Sequence, residues 1–216
     1  REYLEKNNRL GTEQTKTYED LVAAGVKNTH AFDTINRIRQ EEKAAKKRSL
    51  IRGSLLNGEQ KAILYRDFMT EEDSADAKIL KTFAGTDQIG EVVDCLSWMA
   101  EYDSSIPKRS SILNSGMSDW AKEYVYLEKL ADDKEKEQKR IDAFRSAKMK
   151  IDDYLKIKNK FSQIDKSVEN DQKYRTMKQW MKEEGYSQQQ WNVVNDAIGF
   201  WITIRLNQKK AEKTRW

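Results

Sequence analysis

The sequence has little of what interrupts or cross-links a chain. Among 216 residues there are one proline and nine glycines, so few positions force a turn or break a helix. The single cysteine, Cys95, excludes an intramolecular disulfide and suits a reducing compartment. No run approaches the roughly 20 apolar residues that span a bilayer, and no apolar signal segment opens the chain. These scarcities predict a nearly all-helical protein without a membrane partner.

Groups for catalysis and for metal binding are equally scarce. His30 is the only histidine, and because no recognisable nucleophile stands near it we expect a surface or capping role. Cys95 lies on an inferred inward helix face, where a free cysteine packs as a small apolar side chain. One histidine and one cysteine cannot build the usual zinc site, and the glycines form no phosphate-binding loop. We therefore expect no enzyme activity, no cofactor, no metal and no small-molecule substrate.

What the chain does contain is charge together with a large apolar fraction. Charged residues make up 35% and hydrophobic residues 38%, and six Trp, nine Tyr and six Phe are too many for a disordered chain. The 40 basic and 36 acidic residues leave a formal charge of +4. This modest excess does not by itself require a nucleic-acid partner.

One short phrase occurs three times. A large apolar residue is followed by a small polar residue and then by an amphipathic segment, at Leu56-Asn57-Gly58-Glu59-Gln60, at Met117-Ser118-Asp119-Trp120-Ala121 and at Tyr186-Ser187-Gln188-Gln189-Gln190. The leading apolar residues are 61 (117−56) and 69 (186−117) positions apart. Asn and Ser are favoured N-caps, and Gln three positions later completes a capping box. The phrase predicts helices that start close to Asn57, Ser118 and Ser187, in units that stack on one another.

An apolar stripe recurs in front of each phrase. Phe32, Ile35 and Ile38 are matched at a constant spacing of 60 (92−32) by Val92, Cys95 and Trp98, and in the third unit by Tyr154 and Ile157. The spacing predicts that Ile35, Cys95 and Ile157 occupy equivalent buried positions.

These patterns together predict an all-α fold of three tandem helical repeat units, stacked into a bundle or a short solenoid. We divide the chain into a polar lead-in (1–16), unit one (17–75), unit two (76–131), a charged helical connector (132–142), unit three (143–204) and a basic C-terminal tail (205–216). Because no Gly or Pro occurs from Asp119 to Glu184, we expect one long helix to join units two and three. The chain begins at Arg1 rather than Met, and we expect it to be a piece of a longer polypeptide.

Two basic groups are candidates for contact with nucleic acid or with a partner protein. The first contains Lys43, Lys46, Lys47, Arg48 and Arg52, and the second, at the C-terminus, contains Arg205, Lys209, Lys210 and Lys213. The first group precedes a short turn and a capped helix, which is the outline of a helix-turn-helix. The return of the same turn in every unit favours architecture instead. Both interpretations remain open at this point.

Two further segments are Leu56-x-x-x-Gln60-Lys61-Ala62-Ile63-Leu64-Tyr65 and Asp152-Asp153-Tyr154-Leu155-Lys156-Ile157-Lys158-Asn159-Lys160-Phe161. They resemble repeat modules of very large bacteriophage virion proteins of the tape-measure-like, minor capsid or internal ejected kinds. The resemblance covers about residues 20–204, and unit two departs from it with Ala121 in place of the glutamine. It implies a non-catalytic structural segment located in a virion, or in the host cytoplasm during assembly or after injection. The partners implied are other virion proteins or further copies of the chain, with packaged DNA as a candidate. The alternative is a nucleic-acid-binding regulator or inhibitor of a mobile element.

Overall fold

A computed structural model describes residues 10–164 and 167–197 of the chain. Every regular element within these ranges is an α-helix, which confirms the predicted all-α fold. In chain order the helices are α1 (Thr12–Ala23), α2 (Asn28–Gln40), α3 (Ala44–Arg52), α4 (Gly58–Met69), α5 (Ala75–Phe83), α6 (Ile89–Met99), α7 (Ser105–Leu113), α8 (Asp119–Lys129), α9 (Lys134–Ser146), α10 (Ile151–Gln163), α11 (Asn170–Glu183) and α12, whose described part covers 188–197.

The predicted helix starts at Asn57, Ser118 and Ser187 are confirmed, since these residues immediately precede α4, α8 and α12. Asn57 Oδ1 accepts a hydrogen bond from the Gln60 backbone N–H at 3.0 Å, and Gln60 Oε1 accepts one from the Asn57 N–H at 3.0 Å. Ser187 and Gln190 form the same reciprocal pair at 3.2 and 2.9 Å. Two of the three helices therefore begin with the capping box that the sequence predicts.

The two capping-box glutamines also hold their helices against an earlier one. Gln60 Nε2 donates to the carbonyl of Ala24, the C-cap of α1, at 2.8 Å. Gln190 Nε2 donates in the same way to Ala147, the C-cap of α9, at 3.3 Å. A glutamine at this position satisfies a free N–H at one helix start and a free carbonyl at another helix end. It follows that α9 takes in the third unit the place that α1 has in the first.

Unit two replaces the missing glutamine with one from a different helix. Ala121 stands where the glutamine would be, and the Ser118 N–H donates instead to Gln88 Oε1 at 2.7 Å. Gln88 is the N-cap of α6. The Ser118 side chain itself forms no capping hydrogen bond.

The helices of the first two units recur at one constant spacing. Helix α7 begins and ends 61 positions after α3 (105−44 and 113−52), α6 begins 61 after α2 (89−28), and α8 begins 61 after α4 (119−58). In this register the buried residues of α2, which are Ala31, Phe32, Ile35 and Ile38, correspond to Val92, Val93, Leu96 and Met99, and all eight are buried.

The predicted spacing of 60 for this stripe is therefore wrong by one residue. Ile35, Cys95 and Ile157 are all buried, but the helix bounds pair Ile35 with Leu96 rather than with Cys95. Trp98, predicted to face inward, is 47% exposed. Because helix neighbours differ by about 100° in direction, an error of one residue turns a core position toward solvent.

The chain divides into two compact units, Arg1–Leu130 and Ala131–Trp216. The N-terminal compact unit contains predicted units one and two together, with α4 packed against both α1 and α6, and α3 packed against α6. The starts of α4 and α6 approach very closely, because a Cβ placed on Gly58 would lie 2.7 Å from the Gly90 backbone nitrogen. The core of this unit includes the fully buried Leu21, Ile51, Leu64, Tyr65, Phe83, Ile112 and Tyr126.

The C-terminal compact unit begins with a separate helix, where we predicted a charged helical connector (132–142) within one long helix. Helix α8 ends at Lys129, and α9 starts anew at Lys134 with Asp133 Oδ1 accepting from the Lys136 N–H at 3.1 Å. The predicted long helix is therefore wrong, because an N-cap can restart a helix without Gly or Pro. The segment 132–142 lies mostly within α9, which buries Glu137 and Ile141.

Helices α9 and α10 pack against each other in this unit, with the Phe144 and Tyr154 rings 5.0 Å apart in an edge-to-face arrangement. Glu137 is buried on α9, and its carboxylate accepts from Arg140 Nη1, from Lys158 Nζ at 2.8 Å and from the Tyr154 hydroxyl. The carboxylate is buried with its hydrogen bonds satisfied, as a charge in a protein interior must be.

The ends of the chain differ from the predicted division in one respect. Helix α1 already starts at Thr12, so the described part of the predicted polar lead-in is mostly helical. Residues 1–9 and the predicted basic tail lie outside the described residues, and so do its candidate contact residues Arg205, Lys209, Lys210 and Lys213.

Candidate partner-binding grooves

The predicted basic group lies along α3 and the residue before it. Lys43 and Lys46 are exposed and Lys47 is half-buried. Lys46 Nζ lies 3.7 Å from a carboxylate oxygen of Glu41, with the lysine side chain 65% exposed. An ion pair this exposed contributes little to stability. These three lysines can therefore contact an external partner.

The two arginines of the same group are engaged within the protein. Arg48 Nε donates to Glu101 Oε1 at 2.9 Å, and this hydrogen bond holds the pKa of Glu101 below its ordinary value. The guanidinium carbon of Arg52 lies 3.8 Å from the centre of the Trp98 ring, in a cation–π contact. Arg48 and Arg52 thus join α3 to α6 and to the segment after it, and their interpretation as phosphate contacts loses support.

The turn after α3 is built in the same way in both repeats. Lys61 Nζ donates to the carbonyl of Arg52 at 2.8 Å, and Lys122 Nζ donates to the carbonyl of Leu113 at 3.0 Å. Both members of the second pair lie 61 positions after those of the first (122−61 and 113−52). The lysine satisfies a carbonyl at the helix end that has no intrahelical partner. The helix-turn-helix outline therefore occurs in both places with the same lysine contact.

The two groups considered for catalysis lie in different settings. Cys95 is 2% exposed beside Met99, and burial raises the pKa of its thiol to about 12. A thiol with such a pKa stays protonated at neutral pH, as expected of a cysteine in the core. His30 is exposed on α2, in agreement with the predicted surface position.

A groove between α6 and α7, here called the α6–α7 groove, has a volume of about 560 Å³. It is lined by Glu91, Asp94, Cys95, Trp98, Tyr102, Ile106, Pro107, Ser110, Ser111, Asn114 and Ser115. Trp98 and Tyr102 are 47% and 40% exposed, so both rings present surface at this groove. None of the lining residues is basic. The groove thus combines aromatic surface, hydroxyl groups and two carboxylates.

The two carboxylates of this groove are in different states. Glu91 Oε2 accepts a hydrogen bond from the Gly116 N–H at 2.9 Å. Asp94 Oδ1 is shielded from solvent and accepts no hydrogen bond within the described part of the chain, and its nearest cation, Lys61 Nζ, is 3.8 Å away. Burial raises the pKa of Asp94, and the positive charge of Lys61 only partly offsets this effect. Asp94 Oδ1 is therefore held by an ion pair with Lys61 and by no hydrogen bond among the described residues.

A second groove, of about 290 Å³, lies between α2 and α3 and is here called the α2–α3 groove. For most residues that line the α2–α3 groove, the residue 61 positions later in the chain lines the α6–α7 groove. His30 corresponds to Glu91 (91−30), Arg37 to Trp98 (98−37) and Ser49 to Ser110 (110−49), while Leu55, 95% exposed at the rim, corresponds to Gly116 (116−55). The same groove is thus built twice, first with basic and then with acidic and aromatic lining.

Sequence reasoning missed this pair of grooves because it placed Trp98 in the core and gave Glu91 and Asp94 no role. The signal that could have found them was the spacing of the first two capping phrases (117−56), applied also to the preceding helices. In that register Trp98 matches the polar Arg37 and lies on the outer face.

Among the described residues no helix is long and apolar enough to cross a membrane. No group of three or more His, Cys, Asp or Glu side chains in the same residues could hold a metal ion. Comparison with protein-family models, with curated proteins and with solved structures gives no match to this chain. The functional argument therefore rests on the geometry described above.

Proposed function

We propose that this chain is a non-catalytic interaction segment that binds partner proteins in the grooves between the second and third helices of its repeats. The observation that carries the proposal is the groove built twice, at the constant spacing of the repeat (98−37) and with different lining. Repeat proteins use a constant helical framework and varied surface residues in this way to present binding surfaces. The exposed Trp98, Tyr102 and Leu55 add the apolar contact area that such a surface needs.

The resemblance to virion modules supports a phage structural protein as the parent molecule. In that setting the partners are other virion proteins or further copies of this chain, in the particle or in the host cytoplasm. A nucleic-acid-binding regulator is the second candidate, and the exposed Lys43 and Lys46 support it. It draws no support from Arg48 and Arg52, since both make contacts within the protein.

Photo-crosslinking tests the proposed groove contacts. Benzoylphenylalanine replaces Tyr102 at the rim of the α6–α7 groove, or Glu72 at an exposed position outside it as the control. Each variant is irradiated in its natural particle or lysate, and cross-linked peptides are identified by mass spectrometry. We expect one defined adduct from position 102 and none of comparable yield from position 72. Equal yields at the two positions would contradict the proposal.

A charge-reversal variant tests the second candidate, a nucleic-acid-binding regulator. Lys43, Lys46 and Lys47 are replaced together by Glu, while Arg48 is retained because its reversal would set a second carboxylate against Glu101. Affinity for a short DNA duplex is measured by fluorescence anisotropy at two salt concentrations. The matched control carries the same charge change on exposed lysines of other helices, Lys16, Lys78 and Lys81. A salt-sensitive loss confined to the first variant would favour nucleic-acid binding, and equal affinities in both variants would argue against it.

A further inference from the structure

The first repeat of the N-terminal compact unit shows what the third helix of a repeat binds. Helix α3 holds the end of α6 through two arginines: Arg48 Nε donates to Glu101 Oε1 at 2.9 Å, and the guanidinium carbon of Arg52 lies 3.8 Å from the centre of the Trp98 ring. The bound ring and the bound carboxylate are three positions apart (101−98), at the end of α6 and just after it. The contact therefore joins a basic helix face to an aromatic residue that is followed by a carboxylate.

Helix α11 in the C-terminal compact unit is the counterpart of α3. The capping boxes that follow the two helices lie 130 positions apart (187−57 and 190−60). Met181 of α11 follows Ile51 of α3 at the same spacing (181−51), and both side chains are at most 1% exposed. A cap and a core position thus give the same register between the two helices.

In this register two lysines of α11 take the places of the arginines of α3. Lys178 corresponds to Arg48 and Lys182 to Arg52 (178−48 and 182−52). Both lysines are exposed, and neither side chain forms an ion pair or a hydrogen bond with the described part of the chain. Like charges four positions apart on a helix repel each other. A carboxylate brought to this face would relieve the repulsion.

The two lysines border a groove over α11 and the start of α12, here called the α11–α12 groove, with a volume of about 410 Å³. Its lining includes a third basic side chain, Arg175, and no carboxylate among the described residues. Arg175 pairs with Asp171 at 2.8 Å, but both side chains of this pair are more than 70% exposed, so the pair is weak. The charge of the groove therefore favours an anionic occupant.

The aromatic lining favours a protein over a nucleic acid as that occupant. Single-stranded nucleic acid binds basic grooves by stacking its bases on open aromatic rings. The indole of Trp191 in this groove is only 6% exposed, so it offers no open face to a base. A protein carboxylate is, by contrast, the group that the equivalent face of α3 holds.

A second copy of this chain does not supply the residues that such a face binds. Helix α10 begins and ends 123 positions after α2 (151−28 and 163−40), so the ends of both helices can be compared with the end of α6. The positions of the aromatic residue and the carboxylate are taken by Arg37 and Gln40 in α2 (98−37 and 101−40), and by Lys160 and Gln163 in α10 (160−37 and 163−40). The occupant must therefore come from a different protein.

Going beyond the function proposed above, which concerns the grooves between second and third helices, we infer that the α11–α12 groove binds a helix end of a partner protein in which an aromatic residue is followed three positions later by a carboxylate. The carboxylate pairs with Lys178, and the aromatic ring lies against the ammonium group of Lys182. Lysine makes both kinds of contact, although without the paired hydrogen bonds of an arginine.

The probe is a peptide with the sequence of residues 89–103 of this chain, because this segment occupies the equivalent face of α3. It carries Cys95→Ser to prevent oxidation, and a twin peptide carries Glu101→Gln in addition. Each peptide is titrated into the ¹⁵N-labelled full chain and followed by heteronuclear NMR.

We expect saturable shifts of the Trp191 indole N–H and of the Lys178 and Lys182 amides. The twin peptide should bind about threefold to fivefold more weakly, as the loss of one partly exposed ion pair implies. The amides of α3 should not shift, because α6 of the same chain already occupies that face.

Three lysine variants assign the contacts one by one. Lys178→Gln should weaken the first peptide about threefold to fivefold and leave the affinity for the Glu101→Gln twin unchanged, because that ion pair is already lost. Lys182→Gln should weaken both peptides equally, since its contact is the aromatic ring. Lys81→Gln removes an exposed charge of α5 and is the matched control, without effect on either affinity. All three lysines are exposed, so the melting temperature should not change.

The outcomes test this inference separately from the proposed function. Equal binding of the two peptides, equal losses in all three lysine variants, or no shift of Trp191 with either peptide overturns the assignment. Shifts of the Lys178 and Lys182 amides with a short single-stranded oligonucleotide, but with neither peptide, would overturn it in favour of nucleic acid. The cross-link from position 102 concerns a different groove, so its presence or absence decides the proposed function alone.

Discussion

The close backbone contact between α4 and α6 in the N-terminal compact unit makes Gly58→Ala a demanding test of how the repeats pack. A Cβ at residue 58 would lie 2.7 Å from the Gly90 nitrogen, 2.8 Å from the Gly90 Cα and 3.2 Å from Ile89 Cγ2. Two of these three atoms are backbone, so no side-chain rotation can relieve the overlap. The starts of α4 and α6 must move apart to accept the methyl group.

The expected magnitude follows from two opposing effects. Overpacking of this kind costs about 1–3 kcal/mol, and the greater helix preference of alanine returns at most about 1 kcal/mol. The two effects bracket a net loss of about 0–3 kcal/mol, and we expect the middle of this range, about 1–2 kcal/mol, in the free energy of unfolding of the N-terminal compact unit. For a unit of this size such a loss lowers the melting temperature by roughly 3–8 °C.

Urea and thermal unfolding followed by circular dichroism measure this loss, and hydrogen exchange assigns it to the N-terminal compact unit. Gly90→Ala should cost less than Gly58→Ala, because its Cβ would lie 3.3 Å from the Gly58 Cα. The double variant should be non-additive, since both methyl groups separate the same two helices. Gly185→Ala is the control, because Gly185 has a φ of +83° and a Cβ placed on it would meet no atom within 4 Å. Its loss of stability comes from backbone strain alone and should add to the loss caused by Gly58→Ala. A Gly58→Ala protein as stable as the wild type would refute the reasoning.

Three further predictions concern single polar side chains. Gln60→Ala removes a cap and leaves the Ala24 carbonyl without its donor, so urea denaturation should show a loss of about 1–3 kcal/mol; no loss would mean that the capping box does not contribute to stability. Glu137→Gln removes the carboxylate that accepts hydrogen bonds from Lys158 and Tyr154 between α9 and α10. The free energy of unfolding of the C-terminal compact unit alone should fall by about 3–5 kcal/mol, as native-state hydrogen exchange can measure. The pKa of Glu101 is held below its ordinary value of 4.5 by Arg48, so this pair stabilises the fold above pH 4.5 and the contribution disappears as the pH falls through the lowered pKa. Glu101→Gln should abolish that part of the acid dependence, at a cost of at most about 1 kcal/mol at pH 7, and an unchanged acid limb would contradict the assignment.

Local sequence chemistry was sufficient wherever a structure depends on neighbours along the chain. The helix start at Asn57 was predictable because the capping box is completed by Gln60, three residues away. The all-α fold follows for the same reason, since helix hydrogen bonds join residues four apart and little in the sequence interrupts them. The buried state of Cys95 was also predictable, from the apolar residues around it.

The same local reasoning failed where the register or a helix break was at issue. Trp98 fits the apolar spacing of its neighbours, yet it lies outside beneath the Arg52 guanidinium. Two periodic apolar stripes can be aligned in several ways that match their residues almost equally well. Only the packing of the helix against a second helix selects one alignment. The break between α8 and α9 was missed because Asp133 restarts the helix as an N-cap, a role that a charged segment does not reveal.

The sequence by itself determined the helical class and the capped helix starts at Asn57 and Ser187, because both depend on hydrogen bonds within a few residues. Tertiary structure alone decided which charges are available to a partner. Arg48 and Arg52 belong to the same basic run as Lys43 and Lys46, but the arginines contact Glu101 and the Trp98 ring, far away in the chain, whereas Lys46 has only an exposed ion pair with the nearby Glu41. The α6–α7 groove likewise depends on contacts between residues far apart in the chain. Such contacts form when the helices pack, and no local pattern encodes them.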